Sequence, residues 1–62
     1  MKVSDLLRFL ENDGWFIVRQ RGSHRQLHHP TKKGTVTVSG KLSIEVPIGT
    51  LNSALKQAGL KE

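Results

Sequence analysis

The stretch Trp15-Phe16-Ile17-Val18-Arg19-Gln20, Arg21-Gly22-Ser23, His24-Arg25-Gln26-Leu27-His28-His29 decides the fold. Its first six residues are dense in aromatic and β-branched types and too short for a helix between turn signals, so they read as a strand. Arg21-Gly22-Ser23 is the turn, and His24 to His29 returns as a second strand. Pro30-Thr31-Lys32-Lys33-Gly34 breaks the chain again before Thr35-Val36-Thr37-Val38-Ser39, where valines alternate with hydroxyl residues. That alternation marks a sheet with one buried and one wetter face. Three antiparallel strands joined by hairpins are therefore expected.

Outward from this sheet, both ends of the chain read as helices. Val3, Leu6, Leu7 and Leu10 recur at i, i+3, i+4, i+7 spacing, with Ser4 placed to cap the helix and Asn12-Asp13-Gly14 to stop it. Thr50 is the expected cap of a second helix, Leu51 to Ala58, ended by Gly59 with Leu60 as its hydrophobic partner. Between sheet and second helix, Leu42, Ile44, Val46 and Ile48 alternate around Pro47, which discourages helix at Val46. This segment is read as extended chain over the core or, alternatively, as a hydrophobic edge for a protein partner. The fold class is thus α+β in the order α-β-β-β-α, a three-stranded antiparallel sheet with two helices on one face. Leu6, Leu7, Leu10, Leu27, Val36, Val38, Leu51 and Leu55 are the expected core, with Trp15 also read as core.

The 62 residues amount to a single domain, spanning 1–62. A domain of this size buries only roughly 60% of the surface of its unfolded chain. No cysteine is present, which excludes a disulfide scaffold and a Cys-ligated zinc site and fits a cytoplasmic home. Lys2, Asp5, Arg8, Glu11 and Asp13 interrupt the first fifteen residues, so these are neither a signal peptide nor a membrane span.

Charge is distributed by region. From Gly14 to Ile44 no acidic residue occurs, while Arg19, Arg21, Arg25, Lys32, Lys33 and Lys41 give that stretch +6 of the overall +5, the flanks summing to −1. A one-sign stretch is the footprint of a polyanion binder, because neutralising phosphates releases counterions; a solubilising surface is the plainer alternative.

Three histidines, His24, His28 and His29, lie within six residues of each other. On a strand rising about 3.3 Å per residue, His24 and His28 stand roughly 13 Å apart and His29 points to the opposite face, so the three do not converge on one metal ion. Ser23 beside His24 suggests a Ser-His pair, but neighbouring strand residues point apart and no acid orients them. Histidine among cationic side chains suits RNA backbone cleavage, in which a base removes the 2′-hydroxyl proton and an acid protonates the leaving 5′ oxygen. Arg21, Arg25, Lys32 or Lys33 would then stabilise the pentacovalent phosphate. If Leu27 faces the core, His24, Gln26 and His28 lie on the open face, and Gly22 leaves room for a backbone to approach. A plain surface histidine at a hairpin remains the alternative.

Arg19-Gln20-Arg21-Gly22-Ser23-His24-Arg25-Gln26-Leu27, then His29-Pro30, Val36-Thr37-Val38, Gly40-Lys41, Gly49-Thr50-Leu51 and Gln57-Ala58-Gly59-Leu60, resembles the HicA toxin family of bacterial and archaeal toxin–antitoxin modules. The ordered set is specific although each piece alone is weak. Leu27 and Ser39 depart from the family pattern, which often has an aromatic residue near the first and a proline at the second. The resemblance implies a fold like a double-stranded-RNA-binding domain and a metal-independent, cofactor-free endoribonuclease that cleaves mRNA, inhibited by a HicB-type antitoxin. It also implies that the histidine of Gly-Ser-His, here His24, is catalytic, with Gly22 and Ser23 as its supporting turn. Arg19, Arg21, Arg25, Lys32 and Lys33 are the expected phosphate-binding residues. The alternatives are a non-catalytic double-stranded-RNA-binding module and a protein-interaction module.

Overall fold

A computed structural model describes residues 1–61. It contains α1 (Val3–Asn12), β1 (Phe16–Arg21), β2 (His24–His28), β3 (Val36–Ser39) and α2 (Ile48–Gln57), the expected α-β-β-β-α order. The strands form one antiparallel sheet in the order β1-β2-β3, with β2 in the centre. Leu27, Val36 and Val38 on one sheet face join Val3, Leu6, Leu7 and Leu10 of α1, Trp15, and Ala54 and Ala58 in a single core. Leu51 and Leu55, expected to be fully buried, are only half-buried at its margin, because the alanines hold the centre of the α2 stripe.

Both helix starts differ from the expectation. Ser4 does not cap α1: it lies inside the helix, and Lys2 occupies the cap position, its backbone N–H donating to the Asp5 carboxylate at 3.0 Å. The next free N–H groups, of Val3 and Ser4, donate to the carbonyls of Ile44 and Leu42 at 2.9 and 3.1 Å. The segment after β3 therefore acts as the cap, satisfying donors that a helix terminus leaves open; it is not extended throughout as expected, but turns at Leu42-Ser43, where the Ile44 N–H donates to the Lys41 carbonyl at 3.1 Å. Among the described residues it pairs through an isolated bridge, Lys2 with Glu45. Helix α2 begins at Ile48 with Pro47 as its cap residue, ahead of Thr50, because proline's fixed φ of −56° suits the helix edge and its missing N–H is not needed there. Its end is as expected: Gly59 at φ +72° and a Leu60 N–H to Leu55 carbonyl bond of 2.9 Å close a Schellman stop.

The β1–β2 pairing is irregular. Ile17 faces Leu27 and Arg19 faces Gln26, so Val18 is an extra residue in β1, a β-bulge. Regular alternation from Ile17, whose partner is the fully buried Leu27, would turn Arg19 and Arg21 toward the core. The bulge instead resets the parity, and both arginines share a face with Gln26 and His24. At the hairpin, Gly22 has φ +59° while Ser23 keeps negative φ, the pattern of a type II′ turn.

Helix α1 is stopped by Asp13 and by Gly14, whose φ is +104°. A Cβ on Gly14 would stand 2.7 Å from His29 Nε2, while one on Gly22 would meet open space. Gly14→Ala therefore combines backbone strain with a clash and is expected to lose about 2–3 kcal/mol, against about 1–2 kcal/mol for Gly22→Ala. Urea unfolding checks the order; an equal or smaller loss at Gly14 would contradict the close approach.

Candidate nucleic-acid interface on the open sheet face

Cross-strand partners point to the same side, so the open face of the sheet is a small grid. Arg21, His24 and Ser39 make one row, Arg19, Gln26 and Thr37 the next, and Phe16 with His28 begins a third. His24 is the first residue of β2, directly after the Gly22-Ser23 turn, and it is exposed. Arg19, Arg21, His24, Gln26 and Thr37 line a concavity of about 430 Å³. Two guanidinium groups thus flank one imidazole with no carboxylate in the lining.

The turn is held from below by Arg25. This residue is 7% exposed and lies on the core side, where its Nη1 donates to the carbonyls of Ser23 at 3.1 Å and Gly40 at 3.0 Å. Gly40 N–H also donates to the Ser23 carbonyl, at 3.2 Å. Arg25 therefore does not join the expected phosphate-binding set: strand parity turns it inward, and its hydrogen bonds fix the backbone that presents His24. Gly22 and Ser23 form the supporting turn as expected.

Lys32 also stands apart. Its Nζ donates to Asp13 Oδ2 at 2.6 Å and to the Ala58 carbonyl at 3.0 Å, tying the end of α1 to the end of α2. Its charge is spent on a structural contact. Lys33 is exposed in the β2–β3 loop and does not line the concavity.

The three histidines have three different environments. His29 packs edge-on against Trp15, with ring centroids 5.2 Å apart. Its Nδ1 accepts the N–H groups of Thr31 and Lys32, both at 3.1 Å, so Nε2 carries the hydrogen donated to the Asp13 carbonyl at 2.6 Å. His28 Nε2 lies 3.1 Å from Thr35 Oγ1 on the open face. His24 alone has no hydrogen-bond partner within the described residues and faces the concavity. Nor do three His, Asp or Glu side chains come together as a potential metal site among the described residues.

The family model for the HicA toxin of bacterial toxin–antitoxin matches residues 3–60. The chain belongs to the HicA toxin family. No curated protein matches it. Membership gives this HicA-family chain the toxin role of a toxin–antitoxin pair, and with it an antitoxin partner and an RNA target in general. No helix among the described residues is long and apolar enough to cross a membrane.

Sequence reasoning places Gln26 on the open face but gives it and Thr37 no role; both line the concavity. It also misses the cluster of Asp13, His29 and Lys32. The acid at the helix stop Asn12-Asp13-Gly14, with a histidine and a lysine close together in His29-Pro30-Thr31-Lys32, is the signal that was available.

The different surroundings of His29 and His24 predict different costs of removing each. His29→Ala is expected to cost about 1–3 kcal/mol, since it unpairs the Asp13 carbonyl and two N–H groups. His24→Ala should stay within about 0.5 kcal/mol of the parent. Chemical denaturation reads both, and the reverse order would contradict the assignment. The Lys32 ammonium hydrogen-bonded to Asp13 holds that carboxyl below its ordinary value, opposed by its partial desolvation and reinforced by the Lys32 charge. The unfolded chain therefore takes up this proton first. The stabilisation is complete above about pH 5 and is lost progressively as pH falls through the ordinary carboxylate range to the depressed folded value. Asp13→Asn should lower stability at neutral pH and flatten the acid limb of a stability-against-pH curve; an unchanged acid limb would contradict the pairing.

Proposed function

We propose that this chain is a metal-independent endoribonuclease toxin that cleaves mRNA with His24 as its catalytic residue and is inhibited by a HicB-type antitoxin. The observation that carries this reading is the open, unpartnered His24 in a concavity flanked by Arg19 and Arg21. Neutral imidazole accepts the 2′-hydroxyl proton, or imidazolium gives one to the leaving oxygen, near neutral pH. The O2′ attacks the adjacent phosphorus, the P–O5′ bond breaks, and O5′ takes a proton. Products are a 2′,3′-cyclic phosphate and a 5′-hydroxyl. Arg19 and Arg21 bind the phosphate and offset the charge that builds on its oxygens in the transition state. Gly22 keeps the approach to His24 clear. Arg25 acts as a positioning residue, through the Ser23 carbonyl. An antitoxin that covers this face stops cleavage by occlusion.

Incubation with labelled single-stranded RNA in EDTA tests the reading. The parent chain should cleave, His24→Ala should lose about 10²–10⁴ in rate, and matched DNA, lacking the 2′-hydroxyl, should stay intact. Intact RNA with the parent chain would defeat the nuclease reading, and undiminished cleavage by the variant would defeat the role of His24. Binding without cleavage would instead identify a non-catalytic RNA-binding module. Arg19→Ala and Arg21→Ala should each weaken RNA binding and reduce the slope of log affinity against log salt by about 0.7. An unchanged slope for both would move the phosphate site off this face.

A further inference from the structure

The open face continues past the His24 concavity. Phe16, paired with His28 across β1 and β2, is 47% exposed on that face, although the preceding Trp15 is 2% exposed in the core. Beside it, His28 Nε2 and Thr35 Oγ1 are 3.1 Å apart, so the third row is an aromatic ring next to a polar pair. At about 3.3 Å per residue, this row stands roughly 13 Å from that of His24, with the Arg19–Gln26–Thr37 row between them. A strand of nucleic acid whose phosphate rests on the arginines must run along or across these rows. An exposed aromatic ring at one end of a basic, acid-free face has the chemistry of a base-stacking platform.

We propose that Phe16, with His28 and Thr35 beside it, forms a nucleobase subsite in which one base of single-stranded RNA stacks on the Phe16 ring while a neighbouring phosphate occupies the His24 concavity. This rests on the reading of that concavity as an RNA phosphate site. The ring supplies stacking, which every base can use, and the His28–Thr35 pair faces the base edge through the remaining imidazole nitrogen and hydroxyl. The subsite therefore selects unpaired RNA, since a duplexed base has no free face to offer.

The test measures affinity for a fluorescently labelled single-stranded RNA by anisotropy, in the His24→Ala background so that the RNA stays intact. Adding Phe16→Ala should weaken binding about 5- to 150-fold, with an unchanged slope against salt because no charge is removed. Phe16→Leu, which keeps apolar bulk without a π face, should lose most of the same affinity, and Phe16→Tyr should keep it. Circular dichroism of each variant should match the background. A scan of single abasic nucleotides along the RNA should find one position at which Phe16→Ala has no further effect. Equal affinity with and without Phe16→Ala would overturn the subsite and leave the ring to a protein partner. A penalty that persists at every abasic position would overturn it as well. Failure of the parent chain to bind a 2′-O-methyl RNA, which it cannot cleave by the 2′-oxygen route, would instead overturn the phosphate site on which the proposal stands.

Discussion

The extra residue at Val18 is the constraint on which the open face depends. β1 turns Ile17 to the Leu27 side of the sheet, where it stays 41% exposed on the edge strand, and also presents two arginines on the other face, and regular alternation cannot do both. One unpaired residue resolves the conflict. After it, Arg19 stands opposite Gln26 and Arg21 opposite His24, so two cations and one imidazole converge without a long loop. The bulge, the Gly22 turn and the inward Arg25 form a rigid frame, and a site held on strands is positioned more closely than one held on loops.

The basic stretch does two different jobs. Arg25 and Lys32 are spent on backbone carbonyls and on Asp13, closing the hairpin end and the helix ends of the core. Arg19 and Arg21 remain on the open face. The histidines divide likewise: His29 is locked between Trp15, the Asp13 carbonyl and two N–H groups, whereas His24 faces open space. In a chain this small, polar side chains replace part of the core that size does not allow.

Much of this was legible in the sequence. Period-2 alternation in Val36-Thr37-Val38, the helical spacing of Val3, Leu6, Leu7 and Leu10, and the Gly59-Leu60 stop each identify their elements, and the parity of β2 places His24 and Arg25 on opposite faces. What was not legible depends on contacts distant in sequence. Ser4 and Thr50 look like caps locally, but α1 takes its cap from the carbonyls of Leu42 and Ile44, and α2 starts from Pro47. The bulge left only an indirect trace, four apolar residues in succession at Trp15-Phe16-Ile17-Val18 followed by arginines with the parity of Ile17. Lys32 reads as a free surface cation until the fold brings Asp13 and Ala58 to it.

The central claim is that RNA is held on the sheet face of Arg19, Arg21 and His24 and not elsewhere on this basic chain. Its most direct test is an amide chemical-shift titration with a 2′-O-methyl RNA, which lacks the nucleophilic hydroxyl and cannot be cleaved by the 2′-oxygen route. Shifts concentrated at Arg19, Arg21, His24, Gln26 and Thr37, with α1 and α2 unmoved, are predicted. Shifts centred on the helices, with the open face unmoved, would contradict it.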